Sequence, residues 1–197
     1  MKTLFFTFLA IIFNVSCGFC QTDQELKNIL TKGDTAWLNS WKEEPLKTLK
    51  KIENKSITPH NYNGFYNYDL NSPDTSFYVF SPNKMFCIDI YSRTISIEDS
   101  LLVYYEHDSE ILLNDLTKKT SLSLAFCGSY CSFHEVRWIS DSCFIVLGIA
   151  GGCPHITVFD IKNLRYTSFE SLINTQKYNY VEEKFKLKKV INGIKQD

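Results

Sequence analysis

The chain has 197 residues, of which 44% are hydrophobic, 15% aromatic and 22% charged, with a formal net charge of -1. That composition excludes a disordered tail or a low-complexity array, because disorder needs low hydrophobicity or a strong charge imbalance. It also argues against a nucleic-acid partner, since no net positive field is left to neutralise phosphates.

The N-terminus carries an address. Lys2 precedes an apolar stretch at 4–13 that only Thr7 interrupts, and a polar segment with small residues follows, Asn14-Val15-Ser16-Cys17-Gly18-Phe19-Cys20. This is the three-part layout of a secretory signal peptide. Ten helical residues rise about 15 Å, roughly half of a bilayer core, so the stretch is too short to stay as a spanning helix. Residues 1–20 are therefore expected to be a signal peptide, cut after Gly18 or Cys20. The ending Gly18-Phe19-Cys20-Gln21 resembles the signal peptides of secreted Bacteroidota proteins, which implies a periplasmic or secreted location. The rival reading makes Cys17 a lipidated cysteine anchored to a membrane, but Asn14 stands where that motif wants an aliphatic residue. Removal of residues 1–20 leaves five cysteines and a net charge of about -2.

Residues 21–55 read as a helical segment. Leu26, Ile29 and Leu30 fall at helical spacing, and Gly33 ends the run. Asp34 or Thr35 can cap a second helix carrying Trp37, Leu38 and Trp41. Glu44-Pro45 breaks or restarts it, and Leu46, Leu49 and Ile52 continue an apolar stripe, with Lys47, Lys50 and Lys51 facing water. Packing on the protein's own sheet explains this stripe better than a partner-binding helix anchored by Trp37 and Trp41.

Residues 53–75 are irregular and rich in asparagine and tyrosine. Tyr62, Phe65, Tyr66 and Tyr68 lie there, suited either to stacking on a sugar or peptide or to sealing a sheet edge. From 76 the period becomes that of strands, with expected strands at 77–81, 85–91, 101–106, 110–115, 121–126, 134–139, 143–149, 155–161 and 164–169. Short turns separate most of them, so the strands should run antiparallel as a meander. The stretch 176–193 reads as a last strand or short helix. The expectation is an α+β protein in which helices pack on an antiparallel β domain at 56–197, the whole forming one globular unit.

Two places resemble blades of a β-propeller of periplasmic type. Phe80-Ser81-Pro82-Asn83-Lys84-Met85-Phe86 is similar to the blade hairpin Ser-Pro-Asp-Gly-Lys followed by an apolar residue, with Asn83 departing from Asp. The run from Val136 through Trp138, Ser140-Asp141-Ser142 and Phe144 has the same shape, and Ile156-Thr157-Val158-Phe159-Asp160-Ile161 looks like the next strand. A propeller needs at least four blades of about 40 residues, and about 120 residues remain after the helical segment. The resemblance thus implies hairpin-linked, blade-like units or a small two-sheet sandwich, and not a closed propeller.

The densest chemistry is Cys127, Cys131, His134, Cys153 and His155. Outside the cytosol the default fate of neighbouring cysteines is a disulfide, so one is expected among Cys127, Cys131 and Cys153. The same five residues offer enough thiolate and imidazole for tetrahedral zinc, although the spacing matches no standard finger. Cys87 and Cys143 sit in apolar strand patterns and read as core. A Cys143–Cys153 pair is disfavoured, because a turn near 151–153 sets Cys143 opposite about residue 160. Ser129, Ser132, Cys131 and His134 hold nucleophile and base types, but no Gly-x-Ser-x-Gly elbow occurs. Trp138 stands where His-Glu-x-x-His needs its second ligand, and Gly148–Gly152 lacks the Lys-Ser/Thr of a phosphate loop, so no cofactor is expected. The functional expectation is a non-enzymatic exported domain that binds a protein, glycan or envelope component. The alternative is a small hydrolase or metal-dependent enzyme built on the five-residue cluster.

Overall fold

The computed structural model describes residues 23–61, 77–91, 95–98, 101–104, 108–173, 176–177, 180–181 and 184. Helix α1 (Asp23–Gly33) is followed by the short α2 (Thr35–Asn39) and a 3-10 turn at Pro45–Lys47. Pro45 opens that turn, where its missing N–H costs nothing. Asp34 occupies the N-cap position of α2 but makes no capping bond. Its buried carboxylate instead receives the Arg137 guanidinium at 2.5 Å, and Arg137 also donates to the Ile29 carbonyl. The sequence thus suggested a local cap where the fold makes a link from helix to sheet.

Strand β1 (Lys50–Ser56) corrects the helical reading of that stretch. The strand pairs with the last one of its sheet, Lys50 opposite Glu170 and Ser56 opposite Arg165, with a bulge between Lys51 and Glu53. None of its residues is fully buried. An added edge strand held by backbone hydrogen bonds needs no alternating apolar pattern, which is why its sequence looked helical.

The remaining strands are β2 (His60–Asn61), β3 (Tyr78–Phe80), β4 (Phe86–Asp89), β5 (Ile95–Glu98) and β6 (Leu101–Tyr104). They continue with β7 (Ser109–Asp115), β8 (Thr120–Cys127), β9 (Cys131–Ser140), β10 (Cys143–Ala150), β11 (Cys153–Asp160) and β12 (Arg165–Glu170). Two five-stranded antiparallel sheets result, ordered β2-β8-β7-β4-β3 and β1-β12-β11-β10-β9, beside a β5–β6 hairpin. The expected antiparallel architecture is present, with two sheets and few helices. Each large sheet is a four-strand meander with one N-terminal strand added beside its last strand. Cys143 lies opposite Asp160, as the turn argument required.

The meanders share turn chemistry. In the β7–β8 turn the Asp115 carboxylate accepts from the backbone N–H groups of Thr117 and Lys118, and Lys119 takes a positive φ of 54°. In the β11–β12 turn Asp160 accepts from Lys162 and Asn163, and Leu164 takes φ 49°. An aspartate that ties down its own turn lets a non-glycine residue hold the left-handed position. The two units are also stitched together. Trp138 donates to the Val79 carbonyl at 2.8 Å, and Asp141 accepts from the Asn83 N–H at 2.9 Å.

Period-2 alternation divides the β9–β12 sheet into two faces. Val136, Phe144, Val146 and Phe159 form one buried cluster with Ile88, Ile111, Leu113 and Leu124 of the other sheet. Ile145, Leu147, Ile156, Val158 and Phe169 form a second with Leu26, Leu30, Trp37 and Trp41. Beyond β12, Tyr180 and Val181 are helical and buried.

Candidate functional site

The five predicted residues do not converge. His134 is the extra residue of a β9 bulge, between Phe133 opposite Gly148 and Glu135 opposite Leu147. A bulge re-aims side chains locally, and here the imidazole turns to the helix side, stacked on Tyr180 at 6.2 Å between ring centres. The Trp37 indole N–H lies 3.4 Å from Nδ1, and Ser132 Oγ lies 2.8 Å from Nε2. An indole N–H can only donate, so Nδ1 accepts and the ring proton resides on Nε2, which donates to Ser132. That polarity is the reverse of a base that deprotonates serine. Burial, helped by the nearby Lys184 charge, pushes the His134 pKa from 6.5 down to about 4. His134 is a neutral packing residue.

His155 lies on the opposite face, opposite Gly148 on β10 and Glu170 on β12. Cys127 and Cys131 are joined as a disulfide across the β8–β9 turn, with Cα atoms 5.8 Å apart. Cys153, opposite Ala150, remains a half-exposed thiol, while Cys87 and Cys143 are buried in the core. No group of three histidine, cysteine or acidic side chains among the described residues stands close enough to hold a metal ion. The aromatic set Tyr62, Phe65, Tyr66 and Tyr68 lies outside the described residues.

Three of the five nevertheless line one cavity. Cys127, Cys131 and His155 border a space of about 390 Å³ between the two sheets, within the range of small-molecule sites. Its floor is Ile111, Leu124, Val146 and Phe159, and the space is left open by small residues at Ala125, Gly148 and Ala150. Gly148 is required by backbone proximity: a Cβ there would overlap the Ser132 carbonyl oxygen at the bulge. Phe126, 67% exposed, stands at the rim.

One wall is polar. Glu53, His155, Thr157, Tyr166 and Ser168 come from β1, β11 and β12, on the cavity face of the sheet. The Thr157 and Ser168 hydroxyls share one hydrogen bond at 3.1 Å, which leaves one of the two O–H donors unused. The Glu53 carboxylate accepts hydrogen bonds from Lys55 and Tyr166, which hold its pKa below the ordinary value. Burial raises the Tyr166 pKa, with Glu53 adding to it. His155 is pushed down by burial, against the pull of Glu170 and Glu53. Its Nδ1 is inaccessible to solvent and has no hydrogen-bond partner among the described residues.

Sequence reasoning found His155 and the two cysteines but missed Glu53, Thr157, Tyr166 and Ser168. Polar residues at alternate strand positions, 166 and 168 or 155 and 157, look like an ordinary solvent face. Only the second sheet makes them a wall. No protein-family model, curated protein or solved structure matches the chain.

Proposed function

We propose that the chain is a non-enzymatic binding domain of the bacterial envelope, exported to the periplasm or beyond, that holds a small and largely apolar molecule between its two sheets. The single observation behind this is the cavity: an apolar floor, an opening made by small residues, and one polar wall. That combination gives a ligand both burial and orientation. The paired meanders with matching turns favour two blade-like units in which the N-terminal helices cover the outer face of the second. The leader-like residues 1–20 favour export over retention in the cytosol, and free export over a lipid on Cys17.

The test is direct. Nile red, a neutral dye that brightens in apolar surroundings, should bind the purified protein saturably, and Ala150→Phe should abolish that signal by filling the space. Equal fluorescence from both proteins would rule the cavity out as the site. A mature N-terminus at Phe19 or Gln21 by mass spectrometry would support free export, and a diacylglyceryl group on Cys17 would replace it with anchoring.

A further inference from the structure

Resting on the cavity reading above, we infer that the cavity takes a flat aromatic molecule, one of whose rings stands between the Phe133 and His155 side chains above Gly148, in preference to a saturated molecule of the same outline.

The slot follows from strand register. Phe133 on β9 and His155 on β11 both stand directly opposite Gly148, one on each side of β10. Residues opposite each other in an antiparallel pair project to the same face, and all three line the cavity. Phe133 and His155 are half-buried. Gly148 between them contributes no side chain, and none can be added, because a Cβ would meet the Ser132 carbonyl oxygen. Ala150, one step along the same face and opposite Cys131, continues the gap towards the disulfide at the mouth. Val146, one step the other way, bounds it at the floor. From Val146 to Ala150 is four residues, about 13 Å of strand, which is room for two fused rings.

The width of the slot favours a flat occupant. β9 and β11 are two strand spacings apart, about 9.6 Å. A ring standing midway lies about 4.8 Å from each flanking side chain, within the range of roughly 4.5–7 Å in which ring pairs attract. A puckered saturated ring is thicker across its mean plane and has no π face, so it crowds the slot and gains nothing from its walls. The other rings near the floor are already engaged: Phe159 is stacked on Phe144 at 4.9 Å and meets Tyr166 at 5.9 Å. Among the described residues, neither Phe133 nor His155 has a ring stacked on it, so their faces are left for a ligand.

The experiment displaces Nile red from the wild-type protein with 2-naphthol and with decahydro-2-naphthol, its saturated counterpart, which carries the same neutral hydroxyl. 2-Naphthol should act at a concentration about tenfold lower, the gain from two ring contacts. The saturated alcohol is no less apolar, so burial alone predicts no such preference. The ratio between the two competitors does not depend on how tightly the dye itself binds. His155→Leu and Phe133→Leu, each removing one ring contact, should each lower that factor to about three. In the unmutated protein the ring-proton resonances of Phe133 and His155 should move upfield with 2-naphthol, whose ring current shields what lies over its faces, and not with decahydro-2-naphthol. That measurement frees the claim from the folding of either variant. Equal displacement by the two alcohols, or a naphthol preference that survives both substitutions with the two resonances unmoved, would overturn the slot while leaving the cavity in place. A wild-type protein that binds neither Nile red nor 2-naphthol would remove both.

Discussion

His134 shows how one substituent's surroundings decide its chemistry. Paired by sequence with cysteines and serines, it resembled a base or ligand, but the bulge of β9 carries it to the helix side, where Trp37 sets the tautomer. Its folded pKa of about 4 lies below the unfolded value near 6.5. Between those values the unfolded chain binds more protons, so stability is full above about pH 6.5 and is lost as pH falls towards 4. The loss should be on the order of 3 kcal/mol, read as a drop in urea midpoint. His134→Gln should flatten that part of the profile; an unchanged slope would place the titration elsewhere. Gly148 is the second residue with an unambiguous test. A methyl there meets backbone, which cannot swing aside, so Gly148→Ala should cost roughly 1–3 kcal/mol in chemical unfolding. A neutral result would show that the bulge relaxes.

At the scale of elements, β1 and the β8–β9 turn carry the lesson. The expected strands of the two meanders fall close to the observed ones, because burial on one or two faces stamps alternation or an apolar run on the sequence. β1 has no fully buried residue and left no such mark, and its Ile52, with buried Leu49 just ahead of the strand, continued a helical rhythm by chance of spacing. The β8–β9 turn was legible as a disulfide candidate region, though not as this pair. Cys127 and Cys131 are the ends of adjacent strands in different sheets, so their link closes a short loop at the cavity mouth, with Tyr130, 87% exposed, in it. Closing a loop of this size restricts the unfolded chain by roughly 2 kcal/mol. Reduction with dithiothreitol should therefore lower the thermal midpoint by several degrees without unfolding the protein at room temperature. No shift at all would mean that the thiols were already reduced.

Among the described residues, one sheet contributes to both buried clusters. β10 and β11 lie in the middle of the β9–β12 meander, with the inter-sheet cluster on one side and the helix-side cluster on the other. Amides there can exchange only through the largest openings, so residues 144–147 and 156–159 should be the slowest in native-state hydrogen exchange, slower than β1 and β3. Faster exchange in β10 than in β1 would mean that the helices do not cover their face in solution.

The sequence alone determined the antiparallel strands, the Cys143 register and a region worth examining between 127 and 155. Those features are local: periodicity, turn chemistry and spacing depend on residues a few positions apart. Tertiary structure alone decided which of those side chains meet. A one-residue bulge sends His134 to one face of the sheet while His155 faces the other, and facing residues of the other sheet turn the unremarkable Thr157, Tyr166 and Ser168 into a cavity wall. Side-chain convergence depends on long-range pairing, and a single sequence holds no record of which strand lies opposite.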